Sequence, residues 1–431
     1  MSALQLWRSL RTSLATLHLD GRRALLLACI TGGALVPLYF LHPATVSSLG
    51  WDFHAYYAAA TAALAGEPFV GIDTGLAGVT FVYPPPAVLL FVPQAALGSW
   101  QLAFLAHSAV NAAAALGVAA LAVRTVESRR GRLRRLDRLL VVGFCVGSAP
   151  AVAALGLGQA DALVALALAS AFVGLECDRE SLAGVALGVA ALVKVFPAAL
   201  GAWLLWRRAW RATAAAIATG LFGLTVGVLL FGVDAYHRYV AVLAARSRIE
   251  EFAGTVSPNF FAMSLSRPLS QLLPALDPGL YVPASVLVLA PAVCLVALRA
   301  RTLTDRLVTF LVAVLAVVLA SPASNALYVV YLYFPLVCLL YLDRGRRGRG
   351  LLFAGTAGVS FPVQPAHVDA VLTAASVPTV VAAPVSSAAE SLLTVASAPL
   401  LGCLAILGWC VYRAVGGQPT SRVDASPVSD D

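Results

Sequence analysis

The sequence predicts an all-α polytopic membrane protein, and three observations carry that reading. Of the 431 residues, 60% are hydrophobic and 12% are charged, against about 25% charged residues in soluble domains. Many apolar runs reach or approach the roughly 20 residues that a helix needs to cross a bilayer. The net charge of +8 comes mostly from arginines clustered in short stretches between those runs. That is the positive-inside pattern, and no nucleic-acid partner is expected. Seven cysteines without C-x-x-C spacing read as packing residues, neither a disulfide frame nor a metal site.

Taken in order, residues 1–23 form a basic segment with Arg8, Arg11, Arg22 and Arg23, which predicts a cytoplasmic N-terminus. No cleavable signal is evident, because the apolar run that follows, 24–41, is long enough to stay as a span. It delivers the chain to an outside loop with Trp51-Asp52-Phe53-His54-Ala55-Tyr56-Tyr57. Read as a helix, Asp52, Ala55, Tyr56 and Ala59 share one face. The plain alternative makes Asp52 an N-cap that starts a surface helix.

Residues 84–97 follow Tyr83 and hold Pro84, Pro85, Pro86 and Pro93. They read as a short juxtamembrane or re-entrant helix, since prolines suit a first turn and break a long helix. Residues 101–123 are the second full span, ending at the cluster from Arg124 to Arg138. Residues 139–156 return outward to the turn Gly156-Leu157-Gly158-Gln159-Ala160-Asp161, and 162–175 go back in.

The block 181–206 has charge on both flanks but only about one span's length, with Lys194 and Pro197 at its middle. Two half-helices dipping in from one side satisfy that pattern, as broken backbone is tolerated where protein buries it. One kinked span is the alternative. Then 212–232 goes out, 233–279 is a long outside loop with short helices, 281–298 goes in, 307–320 out and 326–342 in, to Arg344, Arg346, Arg347 and Arg349. Residues 346–414 add C-terminal transmembrane helices, roughly one outward and one inward, with 361–387 the least readable stretch. Residues 415–431 read as a disordered polar tail. Both termini are then cytoplasmic, and every arginine cluster falls on one side.

The other side collects polar groups: Asp52 with Tyr56 and Tyr57, Tyr83, Gln159 with Asp161, Ser257 to Arg267, and Ser321 to Tyr328. Polar groups at membrane depth are costly to keep, which points to one shared pocket. P-loop, dinucleotide-binding and H-E-x-x-H patterns are absent, and the six histidines lack metal-ligand spacing. His54 reads as an interfacial side chain. A carboxylate acting as general base or orienter remains. Lys194 is the single lysine; it either holds an anion or snorkels to the cytoplasmic face. Arg267, beside Asn259 and Ser264, suits a lipid phosphate.

In order, W-D-F-H-A-Y-Y-A-A (51–59), G-E-P-F (66–69), F-V-Y-P-P-P (81–86), G-L-G-Q-A-D (156–161), L-A-G-V-A-L-G-V-A-A-L-V-K-V-F-P (182–197) and A-S-P-A-S (320–324) resemble glycosyltransferase family 87. These are polytopic GT-C enzymes that use polyprenyl-phosphate sugars, often mannose. The resemblance implies a GT-C bundle of about 10–12 transmembrane helices, with residues 24–345 as the catalytic module. It implies Asp52 as the base of an inverting transfer to a lipid or glycan acceptor at an extracytoplasmic site. Tyr83, Gln159, Lys194 and Arg267 would line or support that site, with Tyr56, Tyr57, Asp161, Asn259 and Tyr328 as further substrate contacts. The lipid-linked sugar is substrate, no cofactor is expected, no metal-ligand residues are assigned, and metal dependence is left open.

Two departures from the family pattern stand out: Asn325, Leu327 and Tyr328 stand where members often carry Trp and two His, and Asp161 replaces a more usual Asn. Rival readings are a transporter or flippase of lipid-linked sugars, which broken helices also suit, and a non-catalytic assembly subunit. Between the halves of the chain no inverted repeat is visible.

Overall fold

The computed structural model describes residues 20–43, 45–76, 78–245, 252, 256–343, 345 and 348–416. Most of the basic N-terminus (with Arg8 and Arg11), Arg344, Arg346, Arg347 and residues 417–431 of the polar tail lie outside the described residues. Among the described residues the fold is helical, with a single isolated bridge between Ala262 and Asn325. Six helices are long and apolar enough to cross a bilayer, or seven when one broken pair counts as a span.

The first span is α1 (Gly21–Gly33) plus α2 (Val36–Leu41), 21 residues in all. Then come α3 (Trp51–Leu64), a 3-10 turn at Pro85–Leu90 and the short α4 (Val92–Ala95). Pro85 and Pro86 sit in the first turn of one segment and Pro93 in the first turn of the next, where the missing N–H costs nothing. Helix α5 (Trp100–Arg130) has 31 residues, roughly 46 Å at 1.5 Å per residue, so it outruns the hydrocarbon core.

The expected straight span at 139–156 is broken instead. α6 (Arg135–Gly147) and α7 (Ala149–Leu157) meet at 42°. Ser148 interrupts the helix, and Pro150 in the first turn of α7 removes the hydrogen bond that would continue it. Helices α8 (Asp161–Glu176) and α9 (Glu180–Val193) follow. Lys194 then turns extended, at φ −134° and ψ 130°. Phe196–Leu200 and α10 (Gly201–Trp206) complete the block.

Both flanks of this block are at one end of the bundle. Arg207, after α10, meets Glu176 before α9 at 3.4 Å, and the Arg211 N–H donates to Glu180 at 3.2 Å. The block is therefore a helix–break–helix hairpin, as the half-helix reading expects. Lys194 is at its tip, roughly 21 Å from Glu180 after 14 helical residues.

Helix α11 (Trp210–Ala245) bends at Gly232, which takes φ 74° and ψ 169°. After it come α12 (Ser266–Leu272), α13 (Tyr281–Ala297) and α14 (Leu303–Ala320). A 3-10 segment at Ala326–Leu332 leads into α15 (Tyr333–Leu342), which is buried along its whole length. The tail holds α16 (Arg349–Ser360), α17 (Pro365–Ala374), α18 (Thr379–Val395) and α19 (Ala398–Gly416). In that tail only α19 meets the length and composition of a span. Full spans are fewer than the resemblance implies because a break cuts 180–206 into two short apolar pieces and the apolar helix Ala326–Leu342 falls short of span length.

The described arginines of the basic clusters form one belt. Arg23 pairs with Asp137 at 2.7 Å, Arg138 with Glu127 at 2.6 Å, and Arg306 with Glu176 at 2.6 Å. Arg413 pairs with Asp343 and with Asp305, and Arg130 donates to the Leu342 carbonyl at 3.2 Å. These contacts link the starts or ends of α1, α5, α6, α8, α14, α15 and α19. Alternating helix directions thus bring the predicted same-side clusters to the same end.

Candidate active site

The site is at the opposite end, and a backbone tie creates it. Gly50 adopts a left-handed conformation (φ 70°, ψ 18°) as the N-cap of α3, and its N–H donates to the Gly156 carbonyl at 2.7 Å. A Cβ at Gly50 would fall 2.5 Å from the Trp100 ring. The start of α3 is therefore held against the end of α7 and the Gly158-Gln159 turn. Gly50 takes the cap position, which overturns the capping alternative for Asp52. Asp52 is in the first turn, where the helix dipole favours a carboxylate.

Asp52, Ala55 and Tyr56 line one wall of a cavity of ≈ 710 Å³, the face that residue spacing predicts. Ala59 continues that face into the core. Tyr83, Thr80 and Gln159 form the next wall, Pro322, Asn325 and Tyr328 a third, and Val240, Leu243 and Ala244 from the end of α11 close it. Asp52 and Lys194 are the charged side chains among the described residues lining it.

Lys194 reaches the cavity because α9 stops there. Its ammonium pairs with Asp161, approaches Gln159 Oε1 at 3.4 Å and stands 4.4 Å from the Tyr328 ring centre, a cation–π arrangement. The snorkelling alternative fails: the chain points away from the arginine belt. Asp161 is fully buried behind it and also accepts from the Tyr331 hydroxyl. Asp161 is thus the counter-ion of Lys194 and does not itself line the cavity. Tyr56 shares a hydrogen bond with Tyr83 at 2.6 Å and donates to Gln159 Oε1 at 3.1 Å. Gln159 Oε1 is the node where the phenol wall and the ammonium meet.

Besides Asp161, three expected contacts fall elsewhere. Tyr57 packs beside Phe53, with ring centres 6.3 Å apart, off the cavity wall. Asn259 is on an exposed turn, where its carbonyl receives Gln364 at 3.5 Å. Arg267 is fully buried, and its guanidinium donates to the carbonyls of Ser257, Phe260, Leu393 and Thr394. Those partners bind the loop at 257–267 to the C-terminal end of α18, where helix carbonyls lack internal donors. The guanidinium is a clamp between segments and does not face the cavity. His54 stacks on Trp100 with centres 4.7 Å apart, in keeping with an interfacial role.

Sequence reasoning missed Tyr331 and the end of α11. Tyr328 and Tyr331 are three apart on a 3-10 segment, where such residues eclipse, so their shared face is a usable signal. Residues 233–245 read as loop because Asp234, His237 and Arg238 follow Gly232.

With this geometry in place, comparison with known proteins is informative. The sequence model of glycosyltransferase family 87 matches residues 81–322, more than half of the 431-residue chain. That stretch holds Tyr83, Gln159, Asp161 and Lys194, while Asp52 precedes it and Tyr328 follows it. The chain is also similar to a polyprenol-phosphate-mannose-dependent alpha-(1-2)-phosphatidylinositol pentamannoside mannosyltransferase of Mycolicibacterium smegmatis, at 29% identity over 171 residues. The match spans 39% of this chain and 40% of the relative's length.

Proposed function

This chain belongs to glycosyltransferase family 87, and on that premise we propose that it is a membrane mannosyltransferase with a polyprenyl-phosphate-linked donor. One observation carries the reading: among the described residues a carboxylate, Asp52, and an ammonium, Lys194, are the charged groups lining one cavity. Asp52 takes the proton of an acceptor hydroxyl on a lipid or glycan. The acceptor oxygen bonds to the anomeric carbon as the bond from that carbon to the phosphate oxygen breaks. The electron pair leaves with the polyprenyl phosphate, and displacement from the face opposite the leaving group inverts the sugar.

Lys194 has three N–H donors. Asp161 and Gln159 are placed to engage two, and the third can meet the phosphate as its charge grows. Fixed donors of this kind need no reorganisation during the reaction. An apolar groove of ≈ 800 Å³ supports a lipid-linked donor. It runs between 196–206, α13 and α14, and Pro322 lines both it and the cavity. Phe196, two residues past Lys194, is on its wall. An isoprenoid chain in the groove would bring its phosphate to Lys194. The arginine belt at the other end favours an extracytoplasmic cavity in a cell membrane.

The test is transfer from radiolabelled polyprenyl-phosphate-mannose by membranes carrying the wild type or Asp52→Asn. Loss of a general base costs about 10²–10⁴-fold, so the variant should fall by at least about 100-fold with its folded amount unchanged. Equal transfer by both proteins would remove Asp52 from the reaction. Movement of the lipid-linked sugar across the bilayer without transfer would favour the transporter reading, which the break at Lys194 also suits.

A further inference from the structure

Behind the cavity, buried amides and one histidine form a hydrogen-bonded line. Gln94, His107 and Asn111 are at most 7% exposed. Gln94 Nε2 donates to the Leu90 carbonyl at 3.2 Å, which turns its Oε1 toward His107 Nδ1 at 3.2 Å. An amide oxygen only accepts, so this bond selects the tautomer with the proton on Nδ1 and leaves Nε2 as acceptor, in a ring that also meets the backbone of Gly158 and Gln159. Asn111 Nδ2 then donates to Nε2 at 3.0 Å, and to the His107 carbonyl at 3.1 Å. That orients the Asn111 amide: its Oδ1 is left buried without a partner.

Asn111 and Gln159 line the same internal void of ≈ 20 Å³, together with Tyr333. That is room for one water, and Asn111, Gln159 and Tyr333 give a mostly apolar wall the polar partners that a buried water requires. A buried carbonyl oxygen left without a donor is costly. Gln159 spends its Oε1 on Tyr56 and Lys194, so its amide nitrogen is the donor end. A water accepting from Gln159 Nε2 and donating to Asn111 Oδ1 keeps every bond in the line in the same sense, from the Leu90 carbonyl to the Lys194 ammonium.

We propose that one water occupies this void and joins Asn111 to Gln159, making Asn111 a positioning residue for the Tyr56 and Lys194 side chains that Gln159 holds. A cryo-EM map of the full chain in a lipid nanodisc tests the water directly. At a resolution that shows ordered waters elsewhere in the bundle, the void should hold one density within hydrogen-bond distance of both amides. No density there overturns the proposal, and that outcome does not depend on what the enzyme transfers.

The positioning part rests on the proposed transfer reaction. Asn111→Leu removes the acceptor, and Ala165→Val fills the void without touching a polar group; Ala165 is on its wall. Both should lower kcat per folded protein by about tenfold, the scale of a small misplacement at a site, at unchanged melting temperature. An effect confined to folded yield or melting temperature, with kcat intact, would assign Asn111 a structural role and overturn the positioning.

Discussion

Lys194 and Asp161, 33 residues apart in the chain, form a buried ion pair at the floor of the cavity, with Tyr331 donating to the same carboxylate oxygen. The pair adds no net charge, so Asp52 sets the sign of the described cavity wall before a ligand arrives. It also explains how a lysine persists at membrane depth, where an unpaired ammonium is costly.

Removing one member of that pair leaves the other charge uncompensated, which typically costs about 3–5 kcal/mol. Lys194→Met should therefore lower the melting temperature in detergent sharply. The double variant Lys194→Met/Asp161→Asn should recover more than half of that loss, because no buried charge remains. A double variant as unstable as the single would show that the pair is not the source.

Arg267 yields a prediction about stability, separate from binding. Hydrogen bonds from a charged donor are worth about 1.5–3 kcal/mol each, and the guanidinium serves four carbonyls. Arg267→Lys has three donors and cannot reproduce the fork, so it should destabilise the protein by at least about 2 kcal/mol. Donor KM in the surviving folded fraction should not change; a raised KM would return Arg267 to the phosphate.

The fates of Lys194 and Arg267 separate what the sequence discloses from what it hides. The break at Lys194 was legible because charge flanks a block too short for two crossings, a local pattern with one economical solution. The face of Asp52 and Tyr56 was legible for the same reason, since helix spacing is local. A lone arginine in a polar loop reads alike whether it meets a phosphate or a helix end, and the answer sits 126 residues away at Leu393. The i, i+3 spacing from Tyr328 places Tyr331 on the same face, but its role was hidden because its partner, Asp161, is 170 residues distant. The bend at Ser148 carried a signal in Pro150, but the apolar run around it read as one span.

Helix crossings supply a packing test. At the contact of α1 with the α6–α7 break, a Cβ on Gly33 would overlap the Gly147 carbonyl oxygen and fall 2.7 Å from the Ser148 carbonyl carbon. Backbone atoms cannot step aside as a flexible side chain can. Close approach through small residues holds membrane helices together, so Gly33→Ala should cost about 1–3 kcal/mol. Gly408→Ala, which meets nothing within 4 Å, should leave the melting temperature near that of the wild type. Equal effects of the two would show that α1 does not pack this closely.

Sidedness gives the last test. The belt joining Arg23, Arg130, Arg138, Arg207, Arg306 and Arg413 to its partners lies at one end of the bundle, and Asp52 faces the cavity at the other. Glu67 and Arg132 are exposed near the two ends. In a Cys177→Ser/Cys294→Ser background, which removes the two exposed native thiols, single cysteines at these positions can be probed on intact cells with a membrane-impermeant maleimide. Glu67→Cys should label at once and Arg132→Cys only after permeabilisation, because arginine clusters are retained on the cytoplasmic side. Labelling of both from outside would break the helix directions described above. The reverse pattern would keep the bundle but turn the cavity to the cytoplasm. The acceptor would then have to be a cytoplasmic lipid or glycan, and the extracytoplasmic part of the proposed function would fall.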